Sequence, residues 1–189
     1  MLCLAEGEGR NAMYLAEKGY AVTGVDMSEV GINKMNAEAA RRRLEITGVV
    51  ADLSTFDMST PGGWDVIVSI FAHMPPDVRR SVHARAVGAL APGGRLILEA
   101  YTPGLRPCPP RPALQRAPQR ALTPPARRAA NVGRGTGGPP EAGMCMTLAE
   151  LRQELAGLAE VAFARLCDDQ TVGSVAHACT DTRLGGHIL

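Results

Sequence analysis

Aromatic side chains are scarce in this chain: one Trp, three Tyr and three Phe among 189 residues. That argues against a stacking platform for single-stranded nucleic acid, which needs aromatic faces along a groove. Charge of one sign is also lacking, because the formal net charge is only +1; the chain is not globally basic or acidic, and no nucleic-acid partner is expected. No apolar run approaches the roughly 18 to 20 residues that a membrane span needs. Glu6 and Glu8 arrive before any long apolar stretch, unlike a secretory leader. The five cysteines are odd in number and none is spaced as CxxC, so neither a disulfide framework nor a zinc site is indicated. Unpaired thiols suit a reducing compartment, and a cytoplasmic location is expected.

What is present is an alternation of short elements. Residues 1–5 are apolar and end in a glycine-bearing turn, and Ala12, Leu15 and Ala16 mark one face of a helix over 10–18. Residues 21–25 read as a strand ending at Asp26, with Ser28 as N-cap of a helix reaching about 43. A third strand covers 46–51 and ends at Asp52. Residues 64–71 are nearly all apolar, the pattern of a strand buried on both faces of a parallel sheet. A helix over 77–90, a turn at Pro92-Gly93-Gly94 and a strand over 95–101 follow. This alternation predicts a doubly wound, mainly parallel α/β sheet.

The order breaks after Thr102. Between Arg106 and Arg134 there are seven arginines and no Lys, Asp or Glu, a composition that buries too little apolar surface to offset ordering entropy. Three regions are therefore expected. Residues 1–103 form a cofactor-binding α/β core, and 104–132 a disordered Pro/Arg-rich insertion. Residues 133–189 supply a helix and strand pair that complete the same domain. Thr147 and Glu150 have capping-box spacing for that helix. Strands are expected over 161–166 and 172–180.

The segment Leu4-Ala5-Glu6-Gly7-Glu8-Gly9-Arg10-Asn11-Ala12 follows a strand and opens a helix, where nucleotide cofactors bind in open α/β sheets. Gly7 and Gly9 let backbone approach a ligand. A carboxylate at Asp26 can accept from both hydroxyls of a ribose, and one at Asp52 from an adenine amino group. Gly7-x-Gly9-x-x-Ala12, with Asp26 19 residues beyond Gly7, also satisfies the dinucleotide fingerprint. Glu6 and Glu8 oppose that ligand. A carboxylate roughly 4 to 6 Å from a pyrophosphate repels it by on the order of 1 to 4 kcal/mol. S-adenosylmethionine has no phosphate and carries two cationic centres, so acids in the loop suit it. Either acid can instead serve only the helix dipole.

Taken together, this loop, Val22-Thr23-Gly24-Val25-Asp26-Met27-Ser28, Val50-Ala51-Asp52-Leu53, Trp64-Asp65-Val66-Ile67 and Leu90-Ala91-Pro92-Gly93-Gly94-Arg95-Leu96-Ile97-Leu98 occur in an order that resembles the class I methyltransferases. Within that family the resemblance is to the small group that includes tellurite-resistance and thiopurine-type enzymes. It covers residues 1–103 and resumes over 135–158. It implies a Rossmann-like methyltransferase fold, with S-adenosylmethionine as cofactor and a small molecule or inorganic oxyanion as methyl acceptor. Ala5, Glu6 and Gly7 would line the methionine end, Asp26 and Met27 the ribose, Asp52 and Leu53 the adenine. Ser69, Ile70 and Phe71 would line the site near the methyl group. The chain departs from the family pattern at Ala5, where a glycine is usual, and at Cys3, where an acid is usual. Met1 lies inside the expected first strand, which implies that this strand is truncated.

For the acceptor side the candidates are His73, just beyond the fourth strand, and Tyr101; each stands against a purely structural role. His83 and His177 receive no role. Two alternatives to a methyltransferase remain open at the level of sequence. One is an NAD-dependent oxidoreductase, disfavoured by the acidic loop. The other is a catalytically impaired cofactor-binding fragment, favoured by the truncated start. The oligomeric state is not legible.

Overall fold

The structure, a computed structural model, describes residues 1–101, 142–156, 158, 160–166 and 174–179, the last two segments by their backbone. The expected insertion at 104–132 and the match at 135–140 lie outside the described residues. β1 (Leu2–Leu4), α1 (Arg10–Glu17), β2 (Val22–Asp26), α2 (Glu29–Arg42), β3 (Ile46–Val50), β4 (Trp64–Ile70), α3 (Pro76–Gly88) and β5 (Leu90–Ala100) alternate as the pattern requires. After a 3-10 turn at Ala142–Met144 come α4 (Leu148–Glu154), β6 (Glu160–Leu166) and β7 (Ser174–Cys179). The seven strands form one sheet in the order β3-β2-β1-β4-β5-β7-β6. The first five are parallel, and β7 runs antiparallel between β5 and β6.

Strand side chains alternate between faces, and that alternation divides the core in two. Leu2, Leu4, Ile67, Leu96 and Leu98 pack on one face against Val82 and Ala86 of α3, Leu151 of α4 and Leu155, the C-cap of α4. Cys3 and Val68 point the other way, into a cluster with Ala12, Met13 and Ala16 of α1 and Ile32, Met35 and Ala39 of α2. Cys3 is wholly buried there, and burial followed by the nearby Glu6 charge drives its thiol far above the ordinary cysteine range. In this setting it behaves as a small hydrophobe.

Local signals account for the helix starts. The Ser28 hydroxyl accepts from the Gly31 N–H at 3.1 Å. Pro76 occupies the first turn of α3 with Pro75 as N-cap, a place where a missing N–H costs nothing. Thr147 and Glu150 complete both halves of the capping box. Pro92-Gly93-Gly94 corrects the sequence reading, because it does not precede β5 but bulges within it. Leu90 pairs with Trp64 and Arg95 with Val66, so the extra residues loop out between two paired ends. Gly93, at φ +79, allows the excursion.

Across the sheet's α3 face, one ionic network ties the second segment to the first. Arg79, 2% exposed, donates from Nε and Nη2 to both carboxylate oxygens of Glu154 at 2.7–3.1 Å. Its Nη1 donates to the carbonyls of Gly143 and Cys145. His83, one turn further along α3, sets Nδ1 2.7 Å from Glu154 Oε2. Burial holds the His83 imidazole below its usual range, with Glu154 opposing that shift. No helix among the described residues is long and apolar enough to cross a membrane.

Removing one partner of such a pair strands a buried charge. Arg79→Met should therefore destabilise the fold by roughly 3 to 5 kcal/mol in denaturant titration. The double variant Arg79→Met, Glu154→Met should recover much of that loss. An Arg79→Met effect below about 1 kcal/mol, the level of an exposed pair, would show that the network is incidental.

Candidate functional site

The chain leaves β1 for α1 on one face of the sheet and leaves β4 for α3 on the other. β1 and β4 are neighbours, with Leu4 opposite Ser69. Loops that part in opposite directions open a crevice at the carboxyl ends of the two strands, the position at which open α/β sheets bind ligands. β2 lies on the other side of β1, with Val25 opposite Leu4. The loops after Leu4, Asp26 and Ile70 therefore share one edge.

The first loop is built on left-handed backbone, with φ of +51° at Ala5, +62° at Gly7 and +90° at Gly9. Ala5 carries a Cβ in a conformation that costs an L-residue about 1–2 kcal/mol. The glycines serve different ends. A Cβ at Gly7 would meet nothing within 4 Å, whereas one at Gly9 would lie 2.4 Å from Met35 Cγ. Gly7 thus faces open space, and Gly9 makes room for α2 rather than for a ligand.

The carboxylates divide the work. Asp26 accepts from the Gly7 N–H through Oδ2 and from the Ser28 N–H through Oδ1, both at 2.8 Å. Each oxygen retains a further lone pair, directed from the end of β2. Glu6 is 7% exposed, and its Oε1 accepts from the N–H groups of Asn11 and Ala12 at 2.7 Å. It caps α1. Burial raises its carboxyl pKa above the glutamate norm, against the opposing pull of those two N–H groups. Glu8 turns outward to Lys34 Nζ at 2.6 Å.

Around the adjoining strand ends three apolar side chains are exposed: Met27 is 75% exposed, Val30 66% and Val50 50%. Asp52 closes a turn by accepting from the Ser54 N–H, which holds its carboxyl below the usual range. Leu53 points away, into the core. The loop that follows is gripped from α3 by Arg85, whose guanidinium donates to the carbonyls of Leu53, Ser54 and Phe56. At the end of β4, Ser69 is buried and Ile70 half-buried. Phe71 adopts φ +53°, an outlier for a bulky residue, with its N–H bonded to the Glu99 carbonyl at 2.8 Å. Phe71, His73 and Tyr101 then gather into one ring cluster, with centroids 5.0–6.3 Å apart.

The structure thus brings Ala5, Gly7, Asp26, Ser69 and Ile70 to one edge, with Met27 and Asp52 beside them. The Glu6 carboxylate and the Leu53 side chain turn inward. Arg85 was missed because carbonyl partners leave no mark in a sequence, and the strain at Phe71 because nothing in its neighbours announces it. Among the described residues no cluster of His, Cys, Asp or Glu could hold a metal ion.

A family profile described as a methyltransferase domain matches residues 1–94. The 2-heptyl-1-hydroxyquinolin-4(1H)-one methyltransferase of Mycobacteroides abscessus is 34% identical over 98 residues, which cover 50% of this chain and 43% of that protein. The chain thus spans less than half the length of this curated relative. The CcbJ methyltransferase of Streptomyces caelestis is 26% identical with a TM-score of 0.50, covering 54% of this chain and 43% of its own. An S-adenosylmethionine-dependent methyltransferase of Methanosarcina mazei shares the fold at a TM-score of 0.66 and 18% identity, over 94% of this chain and 90% of its own.

Glu6 separates capping from charge. Glu6→Gln keeps an oxygen for Asn11 and Ala12 and removes the buried charge. A folded-state value raised above the unfolded one means that Glu6 favours folding most when protonated and loses that contribution as pH rises through the folded value. Glu6→Gln should therefore equal the native protein in acid and match or exceed it, by up to about 1 kcal/mol, at neutral pH. Glu6→Ala should cost about 1 to 2 kcal/mol in denaturant titration. A Glu6→Gln variant less stable at neutral pH than in acid, relative to the native chain, would reverse this assignment.

Proposed function

We propose, for a chain that belongs through its first 94 residues to the class I S-adenosylmethionine-dependent methyltransferases, that the crevice binds S-adenosylmethionine and directs its methyl group to a small-molecule or oxyanion acceptor. One observation carries the choice of cofactor. The N-terminus of α1 is already bonded, through the N–H groups of Asn11 and Ala12, to the buried carboxylate of Glu6. In a dinucleotide site that helix end receives the pyrophosphate. Here a phosphate would meet an acid. A ligand without phosphate, with a sulfonium and an ammonium, meets a favourable field.

The residues present fit such a ligand. Open space at Gly7 admits its methionine end beside Ala5 and Glu6. The remaining lone pairs of Asp26 accept from the two ribose hydroxyls, while Ser28 and Gly7 hold the carboxylate still. Met27 and Val50 offer exposed apolar surface to the adenine, with Asp52 at its amino edge. Ser69 and Ile70 border the reacting end. S-adenosylmethionine, when bound, supplies a methyl group on a sulfonium that is already a good leaving group. The protein's own contribution is to position the acceptor and exclude water. The relative in Mycobacteroides abscessus is named for a hydroxyquinolinone acceptor, a small molecule in keeping with this reading.

Calorimetry on the full chain should find that S-adenosylmethionine and its demethylated product, S-adenosylhomocysteine, bind and that NAD does not. Asp26→Ala should weaken both by roughly tenfold to a hundredfold, the worth of one or two charge-assisted hydrogen bonds. Binding of NAD alone would overturn the reading.

A further inference from the structure

The chain holds few aromatic residues, yet Phe71 and Tyr101 converge with His73 at the mouth of the crevice. The His73 and Tyr101 rings stack at 5.3 Å and 24°. Phe71 lies 5.0 Å from Tyr101 and 6.3 Å from His73, and neither pair is tilted by more than 33°. Three rings of similar orientation, all half-buried, make a face for another planar ring. Placing them there is costly, because Phe71 takes a left-handed backbone. Strain of that kind persists where the surroundings enforce it, and it gathers at functional sites.

His73 adds a polar feature to this face. Its Nε2 is the one buried side-chain nitrogen or oxygen without a hydrogen-bond partner among the described residues. An unsatisfied buried polar atom costs about 1–3 kcal/mol. Burial holds the imidazole below its usual range, so at neutral pH the ring is neutral. With the proton on Nδ1, Nε2 presents a lone pair. That lone pair meets no donor among the described residues, and a hydroxyl brought to the ring cluster can supply one.

We propose that Phe71, His73 and Tyr101 form the acceptor site for a planar aromatic molecule bearing a hydroxyl group, with His73 Nε2 accepting the hydroxyl's hydrogen bond and then its proton. This inference rests on the methyl-transfer reading and narrows its acceptor class. In the reaction the acceptor oxygen bonds to the methyl carbon as the carbon–sulfur bond breaks. The bonding pair stays on sulfur, and the hydroxyl proton passes to Nε2. The products are an aryl methyl ether, the demethylated cofactor and a protonated imidazole that returns its proton to solvent. Glu99 lies within β5, two residues before Tyr101, with the Arg10 charge near it, and burial raises its carboxyl pKa. Its charge also adds to the rise at Tyr101, where burial is the larger cause. That leaves Tyr101 a neutral hydroxyl and His73 the base.

The test compares phenol, toluene and cyclohexanol as ligands of the full chain, with and without S-adenosylhomocysteine. The native protein should bind phenol, un-ionised at neutral pH, about tenfold more tightly than toluene, the worth of one hydrogen bond. His73→Phe keeps a ring and removes the nitrogen, and should erase that difference while leaving S-adenosylhomocysteine binding intact. Tyr101→Leu should weaken both aromatic probes by roughly threefold to tenfold. The same preference in His73→Phe, equal binding of cyclohexanol, or no binding of either aromatic probe would overturn the inference. If S-adenosylhomocysteine binds in those cases, the methyl-transfer reading survives; if it does not, that reading falls separately.

Discussion

β1 and β4 lie side by side and parallel, yet their chains depart toward opposite faces of the sheet. No packing arrangement can close the space between two loops that separate in this way. The crevice is thus a consequence of strand order, present before any particular side chain is considered. The helices follow from it: α1 and α2 bury Cys3 and Val68 on one face, α3 and α4 bury Leu4 and Ile67 on the other. The residues with chemical potential sit where the two families of loops part.

Two acids are buried in this framework and are accommodated differently. Glu154 meets a guanidinium and an imidazole from α3, and so joins two stretches of chain that are distant in sequence. Glu6 meets the positive end of a helix. The first arrangement holds the fold together. The second determines the charge that a ligand encounters, because a helix end occupied from within no longer recruits a phosphate. On the proposed reading, one side chain separates two cofactor classes that share a glycine fingerprint.

Much of this was legible in the sequence. Apolar runs and alternation marked the strands, and Ser28 and Thr147 announced the starts of α2 and α4 with recognisable chemistry. The division of the acidic loop into a cap and a surface charge was not legible, since Glu6 and Glu8 differ only in the direction they face. Pro92-Gly93-Gly94 was misplaced because a bulge and a turn use the same residues. Arg79, His83 and Arg85 carried no signal, because Glu154 lies far along the chain and the carbonyls that Arg85 holds belong to no residue type. Caps and glycine turns were readable; the left-handed backbone at Phe71 and the side-chain contacts made across the fold were opaque.

The loop between β1 and α1 has its internal bonds in place. Glu6 N–H is held by the Val25 carbonyl, Gly7 N–H by Asp26, and the start of α1 by Glu6. A loop fixed by its own protein has already lost its conformational freedom during folding. Association then has only the ligand's translational and internal freedom to overcome, together with a few side-chain rotors at the rim. A ligand held by this loop as proposed would meet a preorganised surface, with an affinity set by complementarity rather than by the entropy of assembling it.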